Sequence, residues 1–126
     1  MSVRYNILKY LSLITGNSVY KNFREALSWD GLSLEEIEGK QGELLKKLLA
    51  HAYHKTVYYK EIFDDIGLIS EGKVDLSKFT NVPILNKDIL RNRFKSLLTS
   101  DWRELGGVKN TSGGSTGEPA VFMQDK

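Results

Sequence analysis

Apolar positions recur at helical spacing through most of this chain and give way to short, strand-like runs only near its end. Val3, Ile7, Leu8, Leu11 and Ile14 mark a first helix, and Gly16-Asn17-Ser18 stops it. Val19, Phe23, Ala26, Leu27 and Trp29 mark a second, ended by Asp30-Gly31. Isolated helices this short are marginal in water, so both need a neighbour to bury against.

The strongest helical signal follows. Ser33 with Glu36 has the form of a capping box, in which hydroxyl and carboxylate each satisfy an orphan backbone N–H. Leu34, Ile37, Leu44, Leu45, Leu48, Leu49, Ala52 and Tyr53 predict one apolar stripe, with Glu43, Lys46, Lys47 and Lys55 facing outward. Gly39 and Gly42 each weaken the early turns by roughly 1 kcal/mol relative to Ala, so a frayed or split start is expected. A further helix over 58–66 ends at Gly67, a residue suited to the left-handed C′ position.

Val82-Pro83-Ile84-Leu85 predicts an extended connector, and Asn86 an N-cap for a helix carrying Ile89, Leu90, Phe94, Leu97 and Leu98 on one side. Beyond Gly106-Gly107, Val108-Lys109-Asn110-Thr111 and Ala120-Val121-Phe122-Met123 predict two strands around a small-residue loop. The expected organisation is therefore a helical stretch over 1–100, followed by strand, loop and strand over 104–126. A last strand of this kind needs a sheet to join, which suggests a chain cut inside a larger domain. No repeat of solenoid period is visible.

Composition narrows the function classes. The 126 residues carry 18 Lys+Arg against 16 Asp+Glu, a formal charge of +2, which argues against a dominant nucleic-acid field. Lys87, Arg91, Arg93 and Lys95 form a run interrupted by Asp88, better explained as a solvated helix face. Cys is absent, which excludes disulfides, thiolate metal sites and a cysteine nucleophile. Neither a signal peptide nor a spanning segment is legible, so a cytoplasmic protein with no membrane and no nucleic-acid partner is expected. His51 and His54 stand three apart with no third ligand at compatible spacing, so no metal site is assigned. Tyr53, Tyr58 and Tyr59 are expected to be core rather than ligand-stacking residues.

The chemistry sits in residues 111–119, Thr-Ser-Gly-Gly-Ser-Thr-Gly-Glu-Pro. Its glycines let the main chain approach a ligand closely. Successive N–H groups and hydroxyls can make a concave anion site, for which a polyphosphate is the natural occupant. A flexible surface loop is the plainer alternative. A Walker A loop requires Gly-Lys-Ser/Thr and then a helix, whereas Gly117 leads into Glu118-Pro119 and a strand. The Rossmann fingerprint fails on the spacing of Gly113, Gly114 and Gly117.

Residues 112–119 do match, at every specified position, the phosphate loop [ST]-[SG]-G-[ST]-[ST]-G-x-P of adenylate-forming enzymes. With the upstream 49–53, 57–60 and 82–89 segments, the chain resembles the N-terminal part of phenylacetate–coenzyme A ligase-like proteins over residues 45 to 126. The form of the loop is closer to their capsular polysaccharide biosynthesis branch. Ala120 stands where many members of the superfamily carry Lys, a residue that the phenylacetate ligase-like branch often lacks. The resemblance implies an α/β parent whose large adenylate-forming domain begins with this chain as an N-terminal fragment, predominantly α-helical with a C-terminal β-hairpin around the phosphate loop.

It also implies an ATP-dependent ligase that activates a carboxylic acid as acyl-adenylate and passes it to a thiol such as coenzyme A. ATP and magnesium would be required, with Thr111, Ser112, Gly113, Gly114, Ser115, Thr116 and Gly117 holding the nucleotide phosphates. Ser115 and Thr116 would donate to phosphate oxygens, Pro119 would fix the exit into the next strand, and Glu118 would point away or meet a cation. The motifs for adenine, ribose, magnesium and the acyl group would lie outside these residues. No catalytic residue is assigned here, and the fragment alone is expected to be inactive. The competing expectation is a non-catalytic helical interaction module whose Gly/Ser loop is only a linker or a partner-binding tip.

Overall fold

A computed structural model describes residues 3–15, 18–112 and 119–124, and these are mostly helical with two small antiparallel hairpins. Two units divide the chain, 1–41 and 42–126, with the boundary inside one long helix.

In the first unit, α1 (Val3–Thr15) and α2 (Val19–Leu27) form the expected pair. The Tyr20 N–H donates to Ser12 Oγ (3.4 Å), tying one helix to the other. The next helix, α3 (Leu34–Lys55), opens on the predicted capping box. Ser33 N–H donates to Glu36 Oε2 (2.8 Å) and Glu36 N–H to Ser33 Oγ (3.3 Å). The Ser33 backbone bond, followed by the hydroxyl bond, holds the Glu36 carboxyl below its ordinary range. Contrary to the expected fraying, α3 runs unbroken through Gly39 and Gly42.

In the second unit, the core gathers where α3 meets α4 (Val57–Asp65). Leu49, Phe63 and Leu68 are buried there, with Leu45, Ala52 and Ile62 packed around them. The apolar stripe of α3 is narrower than predicted. Leu45, Leu49, Ala52 and Tyr53 turn inward, while Leu34, Leu44 and Leu48 remain exposed. A helix presents about one face to one core, and residues 44 and 48 lie a full 100° from 45 and 49.

Buried Thr56 separates α3 from α4 and serves both. Its hydroxyl donates to Ala52 O (2.9 Å) and accepts from Tyr59 N–H (3.2 Å), capping α4. At the other end Gly67 adopts φ +62°. There Leu68 N–H bonds Phe63 O (2.9 Å) and Gly67 N–H bonds Asp64 O (3.2 Å). This double bond pattern is a Schellman motif, and the side chains of its outer pair, Phe63 and Leu68, are the two most buried among the described residues. One local signal therefore ends the helix and seeds the core.

The second hairpin was not anticipated. β1 (Ile69–Ser70) and β2 (Lys73–Val74) pair across Glu71-Gly72, both at positive φ. That geometry is a type I′ turn, favoured by Gly at its second position. A 3₁₀ turn at Leu76–Asn81 follows, capped by Asp75, whose carboxylate accepts from Ser77 N–H (3.0 Å).

The connector 82–85 is free of helix and strand as predicted, and Asn86 Oδ1 caps α5 (Lys87–Asn92) through Ile89 N–H (2.9 Å). The expected single helix is split. Arg93, at φ −112° and ψ 16°, separates α5 from α6 (Phe94–Leu97). Its guanidinium pairs with Glu61 and lies 5.5 Å from the Tyr58 ring centre; Lys87, Arg91, Arg93 and Lys95 are all exposed as expected, but spread over two helices and the break between them.

Candidate functional site

β3 (Val108–Thr111) and β4 (Val121–Gln124) form the predicted hairpin, in the register Val108↔Gln124 to Thr111↔Val121. Two contacts hold its entrance. Ser100 N–H donates to Lys55 O (2.8 Å), and Lys55 Nζ meets Asp101 Oδ2 at 2.7 Å, which ties the end of α3 to the turn before β3. Lys55 is thus a structural partner rather than one more outward lysine. The hydrogen bond holds Asp101 below its ordinary value of 3.8 and raises Lys55 above 10.5.

The sign of the linkage follows from that shift. Asp101 binds fewer protons folded than unfolded, so its stabilisation is present above about pH 4 and is lost as pH falls through the lowered value. Asp101→Asn is expected to flatten the acid limb of the melting-temperature profile and to leave its slope near neutrality unchanged. Thermal melts across the acid range check this.

Gly106 and Gly107 have different tasks. Gly106 takes φ +68°, which closes the turn. Gly107 sits against Trp102: its N–H donates to Trp102 O (2.9 Å), and a Cβ on it would lie 2.7 Å from that oxygen.

At the far end of the hairpin, Ser112 N–H donates to Ala120 O (2.9 Å) and Ala120 N–H donates to Ser112 Oγ (3.0 Å). Ser112 and Ala120 thereby clasp the neck of the motif loop. The Ser112 oxygen is engaged with the backbone, and its hydroxyl hydrogen is what remains to donate. Thr111 is exposed, and its N–H bonds Asn110 Oδ1 (2.8 Å). Of the expected phosphate-binding set, Gly113, Gly114, Ser115, Thr116 and Gly117 lie outside the described residues, as does Glu118.

Two clefts flank the hairpin. One, of about 290 Å³, is apolar and lined by Tyr59, Leu85, Leu90, Phe94 and the β4 side chains among others. Burial, with Tyr58 beside it, pushes the Tyr59 phenol above its ordinary value. The other, of about 800 Å³, is mostly apolar, lined by Val57, Phe94, Leu98, Trp102 and Met123, with Lys95, Arg103, Lys109, Thr99 and Ser100 among them. None of the three cations forms an ion pair with a described carboxylate, and the Arg103 guanidinium lies over the Trp102 ring, 4.8 Å from its centre. The sequence did not reveal the cleft, because its cations come from three separate elements. His51 and His54 are exposed on α3, with His54 edge-on to Tyr53 (5.2 Å). Among the described residues no group of three or more His, Asp or Glu is placed to hold a metal. Among the same residues no helix is long and apolar enough to cross a membrane.

No protein-family model matches the chain. It is 30% identical over 95 residues to a phenylacetate–coenzyme A ligase of Thermus thermophilus, a match covering 75% of this chain and 21% of that enzyme. The chain is thus similar to part of a ligase and spans about a fifth of that enzyme's length. That relative is named as a ligase, and its name carries no capsule role.

Proposed function

We propose that the loop at 111–117 binds the phosphates of ATP, and that the chain is the N-terminal portion of an adenylate-forming acid–thiol ligase. The observation that carries this reading is the complete match of residues 112–119 to the phosphate-loop pattern, on a hairpin whose neck is closed by Ser112 and Ala120. The similarity to a ligase supports it. In such a reaction a carboxylate oxygen attacks the α-phosphorus and pyrophosphate leaves; a thiol sulfur then attacks the acyl carbon and AMP leaves. The part of this chain is to hold the departing phosphates in line, with N–H and O–H dipoles facing the charge that develops on them. Magnesium would arrive with the nucleotide, and no step is assigned to it. The α/β parent domain and the use of coenzyme A belong to the same proposal.

Calorimetric titration of the 126-residue chain with pyrophosphate, ATP and AMP tests the phosphate site. Pyrophosphate and ATP are expected to bind, and AMP is not. Ser115→Ala with Thr116→Ala should weaken binding by about tenfold or more, the loss expected for hydrogen bonds to charged groups. Equal affinity for AMP, or indifference to the double substitution, overturns the reading.

A further inference from the structure

The first unit carries a feature that nucleotide chemistry does not use. On α1, Ile7, Tyr10, Leu11 and Ile14 fall at i, i+3, i+4 and i+7, one helical face, and each is at least half exposed, Ile14 at 82%. On α2, Val19 and Leu27 are exposed as well. An apolar face of this kind needs an occupant.

The charge of the same segment indicates which. Residues 1–24 contain four basic side chains, Arg4, Lys9, Lys21 and Arg24, and no acidic one, although the whole chain is nearly balanced at 18 to 16. Lys9 and Lys21 stand two residues after Ile7 and Val19, some 200° around their helices and so opposite the apolar faces. Apolar residues and a tyrosine on one side, with lysine on the other, are the pattern of helices that lie in a membrane interface. A helix is about 5 Å in radius, so an ammonium on the far side stays within the roughly 10 Å Debye length of the headgroups. A second copy of the chain fits less well, since it would bring two like-charged segments together. The 13 residues of α1 rise only about 20 Å, against the roughly 30 Å of a bilayer core.

We propose that α1 and α2 seat on an anionic phospholipid surface, with the Ile7–Ile14 face inserted and Lys9 and Lys21 among the headgroups. The absence of a membrane partner was expected because nothing can span; an in-plane seat needs no span. This proposal is independent of the phosphate-loop reading.

Co-sedimentation of the 126-residue chain with vesicles tests it. Vesicles of equal parts phosphatidylglycerol and phosphatidylcholine should bind at least about tenfold more tightly than phosphatidylcholine alone, and added salt should weaken the binding. Lys9→Gln and Lys21→Gln should each cost about fivefold. Ile14→Ser should cost about tenfold. Circular dichroism controls for folding, and the lysine variants leave apolar packing untouched, so they report even where Ile14→Ser unfolds. Equal binding to both vesicle types, or none to the anionic ones, overturns the proposal. So does a dimer in sedimentation equilibrium that Ile14→Ser dissociates while vesicles fail to bind.

Discussion

Phe63→Ala is expected to cost about 3–5 kcal/mol, the loss typical of removing a large aromatic from a core. Phe63 is 1% exposed and packs with Leu49 and Leu68 where α4 leaves α3. Its carbonyl also receives the Leu68 N–H, so a collapse around the cavity would disturb the helix end as well. A domain of this size has about 5–15 kcal/mol in all. The variant should therefore unfold at markedly lower denaturant, or fail to fold at physiological temperature. Urea melts followed by circular dichroism check this. Leu44→Ala, on the same helix but at an exposed position, should change little.

Gly107→Ala is expected to have the second largest effect, about 1–3 kcal/mol through overpacking. The added Cβ would meet Trp102 O at 2.7 Å and Trp102 Cε3 at 3.2 Å, with Met123 Cε at 3.5 Å. Backbone cannot give way there without lengthening the Gly107–Trp102 hydrogen bond, and that bond sets the start of β3. The expected readouts are a lower melting temperature, a change in Trp102 fluorescence and, on the proposed function, weaker pyrophosphate binding. Gly42→Ala is the matching control. Its Cβ would reach only Leu76 Cδ1 at 3.7 Å, an ordinary contact, and alanine favours helix, so stability should hold or rise.

Legibility in the sequence followed the range of the interactions. The capping box at Ser33 and Glu36, the Asn86 cap and the Gly67 stop act over five residues or fewer, and the structure has all three. The hairpin around the motif loop was legible for the same reason, since its two strands flank one short run of Gly, Ser and Thr. Thr56 is a local cap too, but apolar spacing alone starts α4 at Tyr58, because a hydroxyl two residues earlier leaves no mark on that periodicity. The β1–β2 turn was overlooked because strands of two residues are too short to show alternation.

The sequence by itself determined the helix ends that local caps set, at Ser33, Asn86 and Gly67, and that a run of Gly, Ser and Thr stands between two short strands. Those are matters of backbone hydrogen bonding between near neighbours, which side-chain type dictates directly. Only the tertiary structure decided which leucines of α3 are buried, and that Arg93 breaks its helix beside Glu61 and Tyr58. It also decided that Lys55 meets Asp101 across 46 residues of chain, and that Lys95, Arg103 and Lys109 line one cleft. Each of these depends on how elements distant in sequence pack, and periodicity within one element carries no information about its neighbour.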